Sequence, residues 1–272
     1  MRPVGRLPRA FEIWILCALL IVLTSPAVRA QAPEGSEGNT PTPGFLTAYR
    51  GSLGAVRFTS EEEQFAWEGH FAGDVDLFDY GAGRVGFSAA YEVVLGNELR
   101  SFDPNQGLYE LSLRVTRRLA AVEGGILFHH VSRHLSDRPK VEPIDWNLLG
   151  LELSSRAARG GFQAEGLVRG GRIVKRSFVD YEWQAGGRVR VEQALGGAAS
   201  AIGQASVDWF GVDPEVAARG IQVAAYGEGG IRLSGRRGAV DLFVAYERRV
   251  DAHPLVRDTS HRALVGFRLI GQ

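Results

Sequence analysis

The stretch GLYELSLRVTRR, residues 107–118, decides the fold because its side chains alternate by twos. The apolar side chains occupy the odd positions Tyr109, Leu111, Leu113 and Val115. The positions between them are polar, as at Glu110 and Arg114. Because successive side chains of a β-strand point to opposite faces, this period predicts a strand with one apolar and one polar face.

The same alternation recurs along the chain and predicts about twelve strands. We expect them near 45–57, 65–77, 83–95, 107–118, 120–133, 145–156, 161–172, 179–192, 198–210, 221–233, 237–249 and 261–270. Most reach the ~9 to 11 residues with which a tilted strand crosses a bilayer.

The connections between these strands alternate between longer and shorter segments. HLSDRPKVEPI, residues 134–144, is one of the longer connections, and AARG, residues 157–160, is one of the shorter ones. Bacterial outer-membrane barrels show this alternation because short turns face the periplasm and longer loops face outward. An even number of strands then returns both termini to the periplasm.

Alternation alone also fits a soluble barrel or sandwich with an apolar core. However, about eight strands already enclose an interior that side chains just fill, so twelve enclose more. Lysine occurs only at Lys140 and Lys175, both in predicted connections, whereas arginine, which suits paired and partly buried ions, dominates the polar face. We therefore predict an all-β, roughly 12-stranded antiparallel up-and-down transmembrane β-barrel, whose narrow lumen is filled by paired charges.

The chain begins with the features of a secretory signal peptide, which predicts export. Three arginines precede an apolar stretch at about residues 13–23, and small residues at Val28 and Ala30 suit a signal peptidase. We divide the chain into a signal peptide (1–30), a flexible periplasmic lead-in (31–44) and an outer-membrane barrel (45–272). The only cysteine, Cys17, lies in the signal peptide, so the mature chain has no thiol.

The expected partners follow from this location. They are outer-membrane lipids and, during biogenesis, the barrel-assembly machinery, with a monomer or homodimer as the mature form. A formal net charge of +0 gives no basic patch for nucleic acid. The crowded lumen disfavours a narrow channel or transporter, which stays open as an alternative.

The stretch FHHVSRHLSDR, residues 128–138, holds three of the six histidines and is the candidate site. His130 and Ser132 continue the apolar face of their predicted strand, and Asn147 continues that of the next strand. We expect all three on the lipid-facing side at the outer rim, with His130 opposite Asn147. A serine, a base and a third group that orients the base are the minimum for nucleophilic catalysis.

These residues resemble the outer-membrane phospholipase A family, which combines a twelve-stranded barrel with His-x-Ser-Asn-Gly and a Trp-Asn on the next strand. The matching residues are His130, Ser132, Ser136, Asp137, Trp146 and Asn147. The resemblance implies a phospholipase A-like acyl ester hydrolase with Ser132 as nucleophile, His130 as base, Asn147 as orienting group and Asp137 as a calcium contact. Arg133 and His134 stand where the family has Asn-Gly.

A second resemblance is carried by HVSRHLSD, residues 130–137. It is similar to the His-x-Ser-Ser-His-Leu-Gly-Asp motif of an uncharacterised bacterial outer-membrane β-barrel family, with Arg133 and Ser136 as departures. This resemblance implies the location and the fold, with no established chemistry. The corresponding function is a lipid-facing, histidine-rich rim site that binds or senses an envelope lipid.

Two further interpretations of the histidine-rich stretch stay open. His129, His134 and Trp146, together with His130, could form an interfacial polar and aromatic belt at headgroup level. Alternatively, His130, His134 and Asp137 offer imidazole and carboxylate ligands for a metal ion.

Overall fold

The computed structural model describes residues 43–60, 62–136 and 143–271, which form twelve strands. These are β1 (Gly44–Phe58), β2 (Trp67–Asp79), β3 (Gly83–Gly96), β4 (Asp103–Leu119), β5 (Val122–Leu135), β6 (Ile144–Arg159), β7 (Phe162–Ser177), β8 (Tyr181–Gly196), β9 (Ala199–Val212), β10 (Gln222–Ser234), β11 (Gly238–Val250) and β12 (Thr259–Gly271). No helical segment within this described part has the length and apolarity that a bilayer crossing requires.

Each strand pairs antiparallel with its neighbours in the chain, and β1 also pairs with β12. The closing pair runs in register from Gly51 opposite Gly271 to Phe58 opposite Leu264. Closure gives every strand two hydrogen-bonded neighbours, which a sheet needs where water cannot satisfy its edges. The prediction of a closed, up-and-down, 12-stranded β-barrel is confirmed.

The connections alternate in length, as the sequence predicted. The tight turns are 80–82, 120–121, 160–161, 197–198 and 235–237, and the described strand ends Gly44 and Gly271 lie at the same end of the barrel. The opposite end, called here the loop end, carries the connections 97–102, 178–180, 213–221 and 251–258, and β1 and β5 end there while β2 and β6 begin there. The 178–180 connection is shorter than predicted because β7 continues to Ser177, so Lys175 lies in a strand and not in a connection.

The outer surface of the barrel is apolar. Exposed side chains on it include Leu111, Leu113, Ile126, Phe128, Leu149, Leu151, Leu153, Leu242, Val244 and Phe267. The polar residues that alternate with them point inward and form ion pairs. This is the arrangement expected of a barrel surrounded by hydrocarbon, and the reverse of a soluble barrel.

Ion pairs cross the lumen from strand to strand. Asp241 on β11 is 0% exposed and lies 2.7 Å from the Arg232 Nε, 3.1 Å from the Arg190 Nη2 and 3.4 Å from the Arg268 Nη1. Further pairs are Arg84–Asp76, Arg84–Glu123, Arg118–Asp79, Arg169–Asp208, Arg232–Glu192 and Arg268–Glu228. Each of these guanidinium groups reaches carboxylates on one or two other strands, as predicted for a lumen filled by paired charges.

The lumen also contains two apolar clusters toward the loop end, which the sequence analysis did not predict. One consists of Val56, Phe58, Phe65, Val94, Phe243, Ala245 and Leu264, and the other of Val131, Trp146, Tyr181 and Phe210. At these inward positions apolar side chains pack against one another and fill this part of the barrel in place of ion pairs. The lumen is therefore layered, with charges in some layers and aromatic packing in others.

Candidate functional site

The candidate site is built on the outward faces of β5 and β6. His130 on β5 lies opposite Asn147 on β6 and, on its other side, opposite Leu111 on β4. Residues directly opposite one another share a face, and Leu111 is exposed on the outer surface. The imidazole and the amide are therefore on the lipid-facing side, near the loop end of the barrel.

A hydrogen bond joins these two side chains. The His130 Nδ1 donates to the Asn147 Oδ1 at 2.9 Å. Because the amide oxygen only accepts, Nδ1 must carry a proton, and in the neutral imidazole Nε2 is then the nitrogen with the lone pair. The geometry orients His130 in the way that a third group orients a general base.

Ser132 lies two residues further along the same face of β5, opposite Tyr109 and Asp145. Its hydroxyl is hydrogen-bonded to the His134 Nε2 at 3.1 Å, whereas the sequence analysis paired it with His130. Both histidines are two residues from Ser132, so each Cα lies roughly 7 Å from that of the serine. The strand period thus places an imidazole on either side of the hydroxyl, and the side-chain torsions decide which one it contacts.

The aromatic residues Tyr91 and Tyr109 extend the site over the outer surface of β3 and β4. The His134 ring stands edge-on to the Tyr109 ring, with 5.1 Å between ring centroids. Tyr109 in turn contacts Tyr91 at 4.4 Å. A ligand at Ser132 would therefore meet amphipathic rings on this side of the site.

His129 and Trp146 do not belong to the lipid-facing surface, so the predicted interfacial belt is wrong for these two residues. His129 is 2% exposed, and its Nδ1 hydrogen-bonds the Ser112 hydroxyl at 2.8 Å inside the barrel. Trp146 packs edge-on to Tyr181 in the lumen. The physical reason is the period of two, because residues next to the outward-facing His130 and Asn147 must point inward.

Arg133, which departs from both motifs, also points inward. Its guanidinium stacks over the Trp146 ring at 5.8 Å and donates to the Asp251 carbonyl oxygen at 2.5 Å. Arg133 therefore stabilises the interior of the loop end and does not contribute to the lipid-facing site. His134 is the motif departure that remains beside Ser132.

The residues predicted to hold a metal ion are brought together only in part. Asp137 lies outside the described residues. His130 and His134 each have a hydrogen-bond partner of their own, Asn147 and Ser132 respectively. Asp145 is the carboxylate in register with Ser132, but calcium takes six to eight oxygen ligands. Waters commonly supply some of these ligands, and the calcium contact of Asp137 stays a prediction.

A cluster that the sequence analysis missed lies inside the barrel. The ligand atoms of Glu68, His70 and Glu92 are all within 4.8 Å of one another. The Arg249 guanidinium already pairs with both carboxylates, at 2.7 Å from the Glu68 Oε2. Glu68 and His70 are two residues apart on β2, but Glu92 lies on β3 and Arg249 on β11, so the sequence spacing shows only part of the cluster. With an arginine as its cation, it is an ion network of the lumen wall.

The second feature missed by the sequence analysis is a lysine beside Asn147. On β7, Ile173 pairs with Leu148 and Lys175 pairs with Asn147, so Val174 is the extra residue of a β-bulge. Lys175 is exposed and shares the outward face of Asn147. The signal available in the sequence was the rarity of lysine, but the strand boundary predicted at residue 172 placed Lys175 in a loop.

No family model matches the chain, and no curated protein sequence matches it. Solved structures do: outer membrane phospholipase A from Escherichia coli has 15% identity and a TM-score of 0.52 over 84% of this chain and 98% of that one. An active-site mutant of the same enzyme, at pH 6.1, has 14% identity and a TM-score of 0.51 over 90% and 99% of the two chains. A calcium-bound dimer of the Salmonella typhi phospholipase has 14% identity and a TM-score of 0.51, over 82% and 90%. These similarities establish the fold: the chain is a 12-stranded β-barrel of the outer-membrane type.

Proposed function

We propose that this protein lies in the bacterial outer membrane and hydrolyses an acyl ester of an envelope lipid at the rim site. The observation that carries the proposal is the hydrogen bond from His130 to Asn147 beside Ser132, on the lipid-facing surface. The barrel shared with outer membrane phospholipase A supports the same function. The proposal includes the signal peptide at 1–30, assembly by the barrel machinery and periplasmic termini.

In the proposed reaction, the Ser132 oxygen attacks the ester carbonyl carbon, and the His130 Nε2 takes the hydroxyl proton. The tetrahedral intermediate collapses to an acyl-serine, and the leaving alcohol takes the proton back from His130. Water then attacks the acyl-serine with His130 again as base, which releases the fatty acid and restores the hydroxyl. In the neutral imidazole, the contact with Asn147 selects the tautomer that carries the proton on Nδ1, so that Nε2 is the acceptor.

His134 is a competing candidate for the base because its Nε2 contacts the Ser132 hydroxyl directly. The proposal assigns the role to His130, since a base must also be oriented by a third group and Asn147 supplies that group. In this assignment the serine hydroxyl turns from His134 to His130 when the ester binds. Catalytic hydrogen bonds often tighten only in the substrate complex.

The test is hydrolysis of a phospholipid in mixed micelles, with and without calcium. We expect Ser132→Ala to abolish activity and His130→Gln to lower kcat roughly 10²- to 10⁴-fold. Asn147→Ala should lower kcat with little change in KM, because it removes orientation and not binding. Ser155→Ala, an outward-facing serine at the tight-turn end, is the matched control and should keep full activity.

One outcome would contradict this function, and a second would contradict the assignment of the base. Equal rates for the wild type and Ser132→Ala would remove the serine from the chemistry. A loss of activity in His134→Gln that is larger than the loss in His130→Gln would make His134 the base and leave Asn147 without a catalytic role.

The second candidate function is lipid binding without cleavage. It is favoured by the hydrogen bond of Ser132 to His134, because the serine, His130 and Asn147 do not form one continuous chain of hydrogen bonds. In this case the rim site would bind or sense an envelope lipid. Wild type and Ser132→Ala would then retain the same lipid through purification, and neither would release fatty acid.

A further inference from the structure

Three rows of side chains cross the outer surface of β4 to β7 at the candidate site. The first row contains Tyr109, Ser132, Asp145 and Ser177; the second contains Leu111, His130, Asn147 and Lys175; the third contains Leu113, Phe128, Leu149 and Arg172. Residues in one row are directly opposite one another on adjacent strands and share the outward face. Polar groups of the site thus lie between an apolar third row and the loop end of the barrel.

The β-bulge at Val174 sets the position of Lys175 in the second row. In a regular ladder Val174 would be opposite Asn147 and would point outward. Lys175, as the next residue, would then point into the lumen. The extra residue places Lys175 opposite Asn147 and turns Arg176 inward, where it pairs with Asp213. Bulges commonly redirect a side chain next to a functional site.

Lys175 is the cation of this surface that stays available to a ligand. It is exposed, and among residues 43–60, 62–136 and 143–271 no carboxylate forms an ion pair with it. Arg172, in the row nearer the middle of the membrane, is paired with Glu182. Next to a bilayer, a lysine extends its stem along apolar surface and places its ammonium at headgroup level.

The spacing suits a single lipid that spans both groups. Adjacent strands are about 4.8 Å apart, so the Cα of Lys175 lies roughly 10 Å from that of His130. The long lysine stem reduces the gap between the ammonium and the ester site. In a glycerophospholipid the phosphate and the acyl esters are joined through one glycerol, and the apolar third row would contact the acyl chains.

We propose that Lys175 binds the phosphate of an anionic phospholipid whose acyl ester lies at Ser132. The inference rests on the proposed use of a membrane lipid at the rim site and adds the residue that selects the headgroup. Lys175 is a specificity-determining residue. In a lipid with a headgroup such as glycerol, the lysine ammonium is the cation that pairs with the phosphate, whereas a choline headgroup carries its own cation, which competes with the lysine.

The test separates binding from hydrolysis. Ser132→Ala protein is reconstituted in vesicles of equal parts phosphatidylglycerol and phosphatidylcholine with the same acyl chains, and the lipid that stays bound after purification is measured by native mass spectrometry. We expect a preference for phosphatidylglycerol that falls roughly fivefold when Lys175→Met is added. Lys175→Arg should restore the preference.

The matched control is Arg57→Gln, which removes another outward-facing cation near the loop end, on β1 and far from the site. If Arg57→Gln and Lys175→Met reduce the preference equally, Lys175 contributes only general attraction to an anionic surface and the inference is overturned. Displacement of the retained lipid by free glycerol phosphate would also overturn it, because the ligand would then be a soluble phosphate.

Hydrolysis assays distinguish this inference from the proposed function. If the wild type hydrolyses neither lipid but its retained lipid depends on Lys175, hydrolysis fails and the headgroup site stands. If hydrolysis depends on Ser132 while Lys175→Met hydrolyses both lipids at the wild-type ratio, the proposed function stands and the headgroup site fails.

Discussion

At the residue scale, single inward-facing acids hold several arginines. Asp241 is the clearest case, because it is fully buried and is contacted by Arg190, Arg232 and Arg268. A buried ion pair contributes little net stability relative to an apolar pair, but removal of one partner leaves an uncompensated charge. Asp241 is therefore a residue whose loss should affect several strands at once.

We expect Asp241→Ala to lower the free energy of unfolding by about 3–5 kcal/mol, measured by urea unfolding in lipid vesicles. Glu165→Ala is the control. Glu165 pairs with Arg156 at 3.4 Å, and the arginine is 63% exposed, so its loss should cost at most about 1 kcal/mol. Equal stability of the two variants would show that the Asp241 cluster is not the anchor that its burial implies.

At the element scale, β7 shows how one extra residue changes the role of a strand. Ile173 points into the barrel and Val174 points outward, so a regular strand would turn Lys175 inward. Because Val174 is the extra residue of the bulge, Lys175 points outward as well. The register of β6 and β7, and not the length of β7, decides which side chain is next to Asn147.

Two single-residue deletions test this register. Deleting Val174 removes the bulge and leaves Lys175 opposite Asn147, so the preference for phosphatidylglycerol should stay. Deleting Lys175 also removes the bulge but places Val174 opposite Asn147, so the preference should be lost. Both deletions shorten β7 equally, and lipid retention measured on the two proteins compares them directly. Loss of the preference in both would mean that the bulge itself, and not the row position, organises the site.

At the scale of the whole molecule, the loop end is closed by an ion network between segments far apart in the chain. Arg219 in the 213–221 connection lies 2.7 Å from the Asp180 Oδ1 and 2.6 Å from the Asp251 Oδ1. Arg257 adds a further contact to Asp180, which is 0% exposed. This network and the apolar clusters beside it fill the lumen near the loop end with side chains, which disfavours ion conduction.

The network predicts a loop end that loosens in acid. Burial raises the pKa of Asp251, but hydrogen bonds from Arg219 and Tyr181 outweigh it and hold that pKa below the usual 3.8. Because the folded-state pKa is the lower one, the stabilisation is complete above pH 3.8 and is lost as the pH falls through the folded value. The protection of residues 251–258 from hydrogen exchange, measured relative to the intrinsic rate at each pH, should therefore fall only below about pH 4.

Asp251→Asn is the comparison for the acid response. It removes the charge at every pH, so exchange of the 251–258 connection should already be roughly tenfold or more faster at pH 7. This variant should also lack the loss of exchange protection in acid. An unchanged exchange rate at pH 7 would mean that the apolar clusters, and not the carboxylate, hold this connection in place.

Most of the fold could be predicted from local patterns in the sequence. The period of two determines which side chains of a strand share a face. Because twelve strands enclose more space than apolar side chains fill, the apolar face is predicted to contact lipid. The pairing of His130 with Asn147 could also be predicted, because β5 and β6 are consecutive strands joined by one connection. The errors at His129 and Trp146 came from treating neighbours in sequence as neighbours on one surface.

Taken by itself, the sequence determined the strands, their faces and the candidate residues Ser132, His130 and Asn147, because these depend on backbone geometry repeated every two residues. Only the tertiary structure decided that Ser132 contacts His134, that Lys175 lies beside Asn147 and that Arg219 joins Asp180 to Asp251. Those contacts depend on a bulge, on side-chain torsions and on barrel closure, which bring together residues that no local period relates.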